Sequence, residues 1–221
     1  MLRDDDDDDE RGSASLEAVD DDGDDEEEEG DEEDERRFLF NPYRLTYQDW
    51  LRYPDGGRQY ELFQGELVMV PAFAIHHQRI SRNLGFQLIT FLQQKGLGEV
   101  FDAPIGVKLS EYDVVEPDLV VVLAENAHRI GEQVIEGPPD IVIEILSPES
   151  AAQDQGRKRV LYEQAGVREY WLVDPETASI EVLSLKGGQY VCSGIFEDKD
   201  ALKSPLLKDQ KIFLHAIFPA G

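Results

Sequence analysis

The residues of this chain with the clearest chemical potential stand inside runs that ought to be buried. DIVIEILSP, residues 140–148, has the branched apolar content of a buried strand yet carries Glu144 in its middle. An ionised carboxylate in such a place costs several kcal/mol to desolvate unless a cation or hydrogen-bond donors meet it. EPDLVVV sets Asp118 at the start of a second apolar run. After DIVIEILSP, the residues Ala151, Asp154, Lys158, Leu161, Tyr162 and Ala165 fall on one helical stripe. Lys158 therefore belongs to the face that packs inward, with Arg157 and Arg159 about 100° to either side. Its stem is long enough to bring an ammonium to the carboxylate of the preceding strand. Glu144 is thus expected to be met by Lys158, by a metal ion held jointly with Asp118, or by both. Two carboxylates and a lysine are what metal-assisted phosphodiester hydrolysis needs. The acids are hard oxygen ligands suited to Mg²⁺, the ion polarises phosphate and helps deprotonate water, and the lysine meets the charge that develops.

These side chains converge only if the right elements carry them. A period of two puts Asp140, Val142, Glu144 and Leu146 on one face. Asp140 is roughly 13 Å from Glu144 at about 3.3 Å per residue, too far to share an ion, so the second ligand must come from another strand. Asp118 is the candidate. YELFQGELVMV reads as a hairpin turning at Gln64 and Gly65, which pairs Phe63 with Glu66 and Glu61 with Val68. That register offers Glu61 as a third acid, while Glu66, beside the turn, is expected to face solvent.

Thr46 and Pro54 bracket a short helix before the hairpin. After it, Ile80, Leu84, Leu88 and Leu92 define a long amphipathic helix stopped by Gly96, with His77 in its first turn. GEVFDAPIGVKLS and VVEPDLVVVLA are expected to be two strands joined around residues 111–113. The strand of Glu144, the helix of Lys158 and the strand EYWLVDP form a crossover unit with parallel strands. SIEVLSL and GQYVCSG close the pattern as a peripheral hairpin. The expected fold is α/β, a mixed β-sheet flanked by helices.

Every candidate has a structural alternative. Asp118 could bond a turn amide, Glu144 and Lys158 could be a buried ion pair without a metal, and Glu61 could be solvated at a sheet edge. His77 is an auxiliary candidate that could cap backbone donors, stack, or approach a phosphate. Asp154 and Lys158 form an i, i+4 pair in the favourable order, so Asp154 could simply steady the lysine. Tyr162 and Trp171 read as core.

Composition divides the chain in two. Residues 1–37 carry a net charge of -18 and residues 38–221 a net of -9, out of -27 in all. The first segment has too little apolar content to offset its chain entropy and is expected to be a disordered acidic tail, which could mimic DNA, autoinhibit by occupying a basic groove, gather divalent ions or, the favoured reading, only keep the protein soluble. Residues 38–221 suffice for one domain with one core. An acidic domain argues against general nucleic-acid packaging, though not against an enzyme that clusters acids around a metal. The single Cys192 excludes a disulfide framework. With no apolar run near 18 residues and no secretory signal, the cytoplasm is the expected compartment and no membrane partner is expected.

YELFQGELV, EPDLVVV, DIVIEILSP, GRKRVLYEQAGVREYWLVDP and the closing SPLL together resemble the Uma-type restriction endonucleases, a bacterial branch of the PD-(D/E)XK nuclease superfamily. The resemblance runs from about Thr46 to Phe218. It implies a restriction-endonuclease-like core, DNA as substrate, and Mg²⁺, replaceable by Mn²⁺, at Asp118 and Glu144. Position 146, where the superfamily pattern expects lysine, is Leu146, and Lys158 looks like the relocated lysine of that branch. A homodimer is expected if both strands of a duplex are cut, since one metal centre cuts one strand. The rival expectation is a noncatalytic binding or regulatory module on the same scaffold.

Overall fold

The computed structural model describes residues 44–54, 59–72, 74–197 and 199–218. The acidic tail expected over residues 1–37 lies outside the described residues. Helix α1 (Tyr47–Arg52) starts at Thr46, whose side chain and that of Asp49 cap each other's backbone. Strands β1 (Tyr60–Phe63) and β2 (Glu66–Met69) form the expected hairpin, Phe63 paired with Glu66 and Glu61 with Val68. Gln64 and Gly65 both have positive φ, as a tight two-residue turn requires. A Cβ on Gly65 would also lie 2.5 Å from that of Arg44. Helix α2 (Ile75–Lys95) ends at Gly96 in the left-handed conformation.

The two runs expected to be single strands are each broken into two. GEVFDAPIGVKLS yields β3 (Gly98–Asp102) and β4 (Gly106–Lys108), and VVEPDLVVVLA yields β5 (Val114–Val115) and β6 (Leu119–Leu123). Pro104 and Pro117 sit at the breaks, where a residue without an N–H interrupts a ladder. Each run thereby changes sheet. With β7 (Val134–Glu136), the first sheet has the order β2-β1-β5-β4-β7. The second adds β8 (Ile141–Ile145), β9 (Glu169–Asp174), β10 (Ser179–Lys186) and β11 (Gln189–Glu197) in the order β11-β10-β9-β8-β6-β3. The expected α/β class with mixed sheet and flanking helices is present, built as two mixed sheets. Strand β8 pairs β6 antiparallel and β9 parallel, as the crossover reading requires.

Both faces of the six-stranded sheet are covered, which is why its central strands read as continuous apolar runs. On one face Ile80, Leu84, Leu88 and Leu92 of α2 pack with Leu119, Val121, Ile141 and Ile143, joined by Leu202, Leu207, Ile212 and Leu214. On the other face Val120, Val122, Val142 and Tyr170 meet Phe63, Val107 and Val115 of the five-stranded sheet and Tyr162 of the crossover helix. Glu144 and Asp118 lie on this second side, by alternation with Val142 and Val120. No helix among the described residues is long and apolar enough to cross a membrane.

Candidate active site

Strand pairing brings the two acids together. Continuing the Leu119–Ile143 register by one residue sets Asp118 opposite Glu144 on the neighbouring strand. Both carboxylates are buried. Asp118 Oδ2 accepts from the backbone N–H of Ile145 at 2.7 Å and lies 3.1 Å from His77 Nε2. Helix α2 thus delivers an imidazole to the acid from its first turn.

Lys158 arrives from the helix after β8. That helix is α over α3 (Ala151–Gln153), π over Asp154–Lys158, and α again over α4 (Arg159–Ala165). The buried groups of the widened turn are Asp154 and Lys158, and Tyr170 donates to the Asp154 carbonyl at 3.0 Å. Lys158 Nζ stands 2.8 Å from Glu61 Oε1, 3.0 Å from Glu144 Oε1 and 3.5 Å from Asp154 Oδ1. One ammonium therefore serves three carboxylates while only 5% exposed.

Glu61, read from sequence as an edge residue that could be solvated, is buried and also accepts from Glu116 N and Gln153 Nε2. Glu66 is exposed and pairs with Arg157. Tyr162 is core, as its stripe position predicts, and its hydroxyl donates to Glu144 Oε1 at 2.8 Å. Asp140 belongs elsewhere, held by Leu123 N, Asn126 and Arg168.

Sequence reasoning overlooked Glu116, Gln153 and the Tyr162 hydroxyl. Glu116 stands two residues before Asp118, a spacing that in a strand gives a shared face, and both line the same cavity of about 300 Å³ with Glu61, His77, Glu144, Asp154 and Lys158. The proline between them hid that signal.

Crowding of acids sets the electrostatics. Burial pushes the Glu144 carboxyl well above its ordinary range; Lys158 opposes this, and Asp154, Asp118 and Glu61 reinforce it. Burial alone would lower Lys158, but Glu144, Glu61 and Asp154 outweigh it and hold the ammonium charged. Glu116 is pushed up to about 7 by burial and by Glu61, against the pull of Lys158. Asp154 is raised, again by burial first.

A carboxyl that is raised in the native state keeps its proton where the unfolded chain has lost it. Stability present below the ordinary value of 4.5 for Glu116 is then lost as pH rises toward about 7. Melting temperature in a chelator should fall between about pH 5 and about pH 8, and Glu116→Gln should flatten that slope. Thermal melts across the window check this; a rising melting temperature in both proteins would contradict it.

The donor set fits a hydrated divalent ion. Among the described residues, the polar contacts of Glu144 fall on Oε1 and those of Asp118 on Oδ2. Oε2 and Oδ1 remain as oxygens with lone pairs to offer in the cavity that both residues line. No three of His, Cys, Asp or Glu form a preformed cage among the described residues. Mg²⁺ does not need one, because it keeps several waters and takes one or two carboxylates.

Two mixed sheets flanked by helices, with paired acids on adjacent strands, are consistent with a PD-(D/E)XK-like fold. The chain belongs to the Uma2 family, described as "Putative restriction endonuclease", which matches residues 46–214. A solved structure from Anabaena variabilis, described as "a putative nuclease belonging to DUF820", superposes with a TM-score of 0.66 at 19% identity, covering 79% of this chain and 97% of the other. No curated protein matches the sequence.

Proposed function

We propose that this chain is a divalent-metal-dependent endonuclease that hydrolyses DNA phosphodiester bonds, with Mg²⁺ as its ion and Mn²⁺ as a substitute. The observation that carries the reading is the convergence, in one cavity, of Asp118 and Glu144 from paired strands with Lys158 Nζ 3.0 Å from Glu144. Membership of a family with a nuclease description supports it. Asp118 Oδ1 and Glu144 Oε2 are the oxygens that would hold the ion. Bound there, the ion would polarise the phosphate and lower the pKa of a water.

The chain's own residues do the rest. Lys158 stays cationic and meets the charge that builds on the phosphate oxygens, the role the missing lysine at position 146 would otherwise fill. Glu61, 2.8 Å from that ammonium, holds it in place and acts as the auxiliary acid. His77 and the Ile145 amide orient Asp118, and the Tyr162 hydroxyl orients Glu144. Burial of Tyr162 and the adjacent Glu144 charge hold its phenol pKa well above the ordinary value, so it remains a donor.

Incubation with plasmid DNA tests the reading. Nicked or linear product should form with Mg²⁺, vanish with a chelator and return when the ion is restored; no product with Mg²⁺ or Mn²⁺ would contradict it. One observation favours a noncatalytic module instead: Lys158 already gives Glu61, Glu144 and Asp154 a shared cationic partner. Calorimetric titration with Mn²⁺ separates the two, because a module stabilised by its lysine alone binds no ion tighter than about millimolar.

A further inference from the structure

A groove of about 1240 Å³ adjoins the acid cavity, and the two share residues 69–72 and Glu116 as a common wall. Among the described residues, the aromatic side chains Trp50, Tyr53 and Tyr60 line it. They are fixed to one another. Tyr53 and Tyr60 meet edge to face with centroids 4.7 Å apart, and the Trp50 indole donates to the Tyr60 carbonyl at 2.6 Å. The Trp50 ring also lies so close to Gly106 that a Cβ there would sit 2.9 Å from it. Such rings need no reordering before a flat ligand stacks on them.

Among the described residues, the rest of the lining is apolar side chains, three amides, one cation and one acid. Gln48, Gln59 and Gln133 each offer a donor and an acceptor. The charged side chains of the described lining are Arg52 and Glu116. Arg52 is offset by Glu116 in the described lining, and the net charge of -9 over residues 38–221 disfavours wrapping the dense charge of a duplex. Aromatic faces beside amides are what nucleobases bind, and inside a duplex those faces are already stacked on neighbouring bases.

We infer that this groove receives unpaired bases of the strand whose backbone lies at Asp118 and Glu144, so that the preferred substrate is DNA with a single-stranded segment beside the bond to be cut. The inference rests on the nuclease reading for the direction of the strand, while base binding in the groove stands apart from catalysis. Continuity across the shared wall places the groove within reach of nucleotides adjoining the cleaved phosphate. Stacking contributes about 1–3 kcal/mol per base in sites of this kind, enough to bias substrate choice.

The test is fluorescence anisotropy of the full chain in a chelator, using a fluorescein-labelled DNA single strand of roughly ten nucleotides and its blunt duplex. The single strand should bind at least about tenfold more tightly than the duplex. Tyr53→Ala should weaken single-strand binding about tenfold and leave the duplex unaffected, while Tyr53→Phe, which keeps the stacking face, should bind as the wild type does. Circular dichroism melts confirm that the variants are folded. Equal affinity for strand and duplex, or unchanged strand binding in Tyr53→Ala, would overturn the inference even if plasmid cleavage is observed. Tyr53-dependent strand binding without cleavage under Mg²⁺ would uphold the groove and remove the nuclease reading.

Discussion

Asp118→Asn and Glu144→Gln should each reduce Mg²⁺-dependent cleavage by at least about 10³-fold while leaving the protein folded. The amides are chosen because they keep shape and hydrogen bonding. Asp118→Asn still offers an oxygen to the Ile145 N–H, and Glu144→Gln still offers one to Lys158 and Tyr162. Each removes one negative charge from the pair that faces the cavity, and a neutral amide is a poor ligand for a hard ion. Alanine variants should lose cleavage equally but also strand the Ile145 amide or the Tyr162 hydroxyl, at about 1–3 kcal/mol of stability. Initial rates with Mg²⁺ and Mn²⁺, set beside urea unfolding, separate the two effects. Wild-type rates in both amide variants would remove these residues from the chemistry.

Lys158→Met should damage the protein in two ways. In the metal-free protein it leaves Glu61, Glu144 and Asp154 facing one another without a cation, and removing one partner of a buried charge cluster costs about 3–5 kcal/mol. The loss should be smaller at low pH, where Glu144 and Asp154, whose pKa values burial already raises, take up protons. Cleavage should fall by about 10²–10³-fold, the usual consequence of deleting one group that stabilises developing charge. A divalent ion can stand in for part of the missing charge, so Mn²⁺ should stabilise the Met variant more than the wild type. Urea titrations with and without Mn²⁺ read this directly. A variant as stable as wild type at neutral pH would mean that the lysine is not the counter-charge of the cluster.

Much of the site was legible because its signals are violations of burial. Glu144 inside an apolar strand and Lys158 on the inward stripe of the next helix each demand a partner, and the helix placed those partners 3.0 Å apart. Asp118 followed from the need for a second strand. The hairpin register was legible because Gln64 and Gly65 fix a two-residue turn. Glu61 was harder, since alternation gives its face but not what covers that face; the crossover helix does so through Gln153 and Lys158.

What stayed hidden depends on long-range packing. Pro104 and Pro117 mark breaks in the sequence, but nothing local says that each half-run joins a different sheet. The π turn at Asp154–Lys158 leaves no periodic trace in five residues. The C-terminal segment, with Leu202, Leu207, Ile212 and Leu214 buried, has no repeating pattern because it packs as irregular chain beneath the sheet. Glu169 ties that segment down, accepting from Ser204 Oγ and Leu206 N, a contact that only the folded chain creates.

The central claim is that Asp118 and Glu144 share one divalent ion beside the Lys158 ammonium. Anomalous diffraction from crystals soaked in Mn²⁺ addresses it most directly. A single anomalous peak is expected at the Asp118 and Glu144 carboxylates, the residues that would hold the ion. Full occupancy of the crystal by Mn²⁺ elsewhere with no peak at these two carboxylates would contradict it.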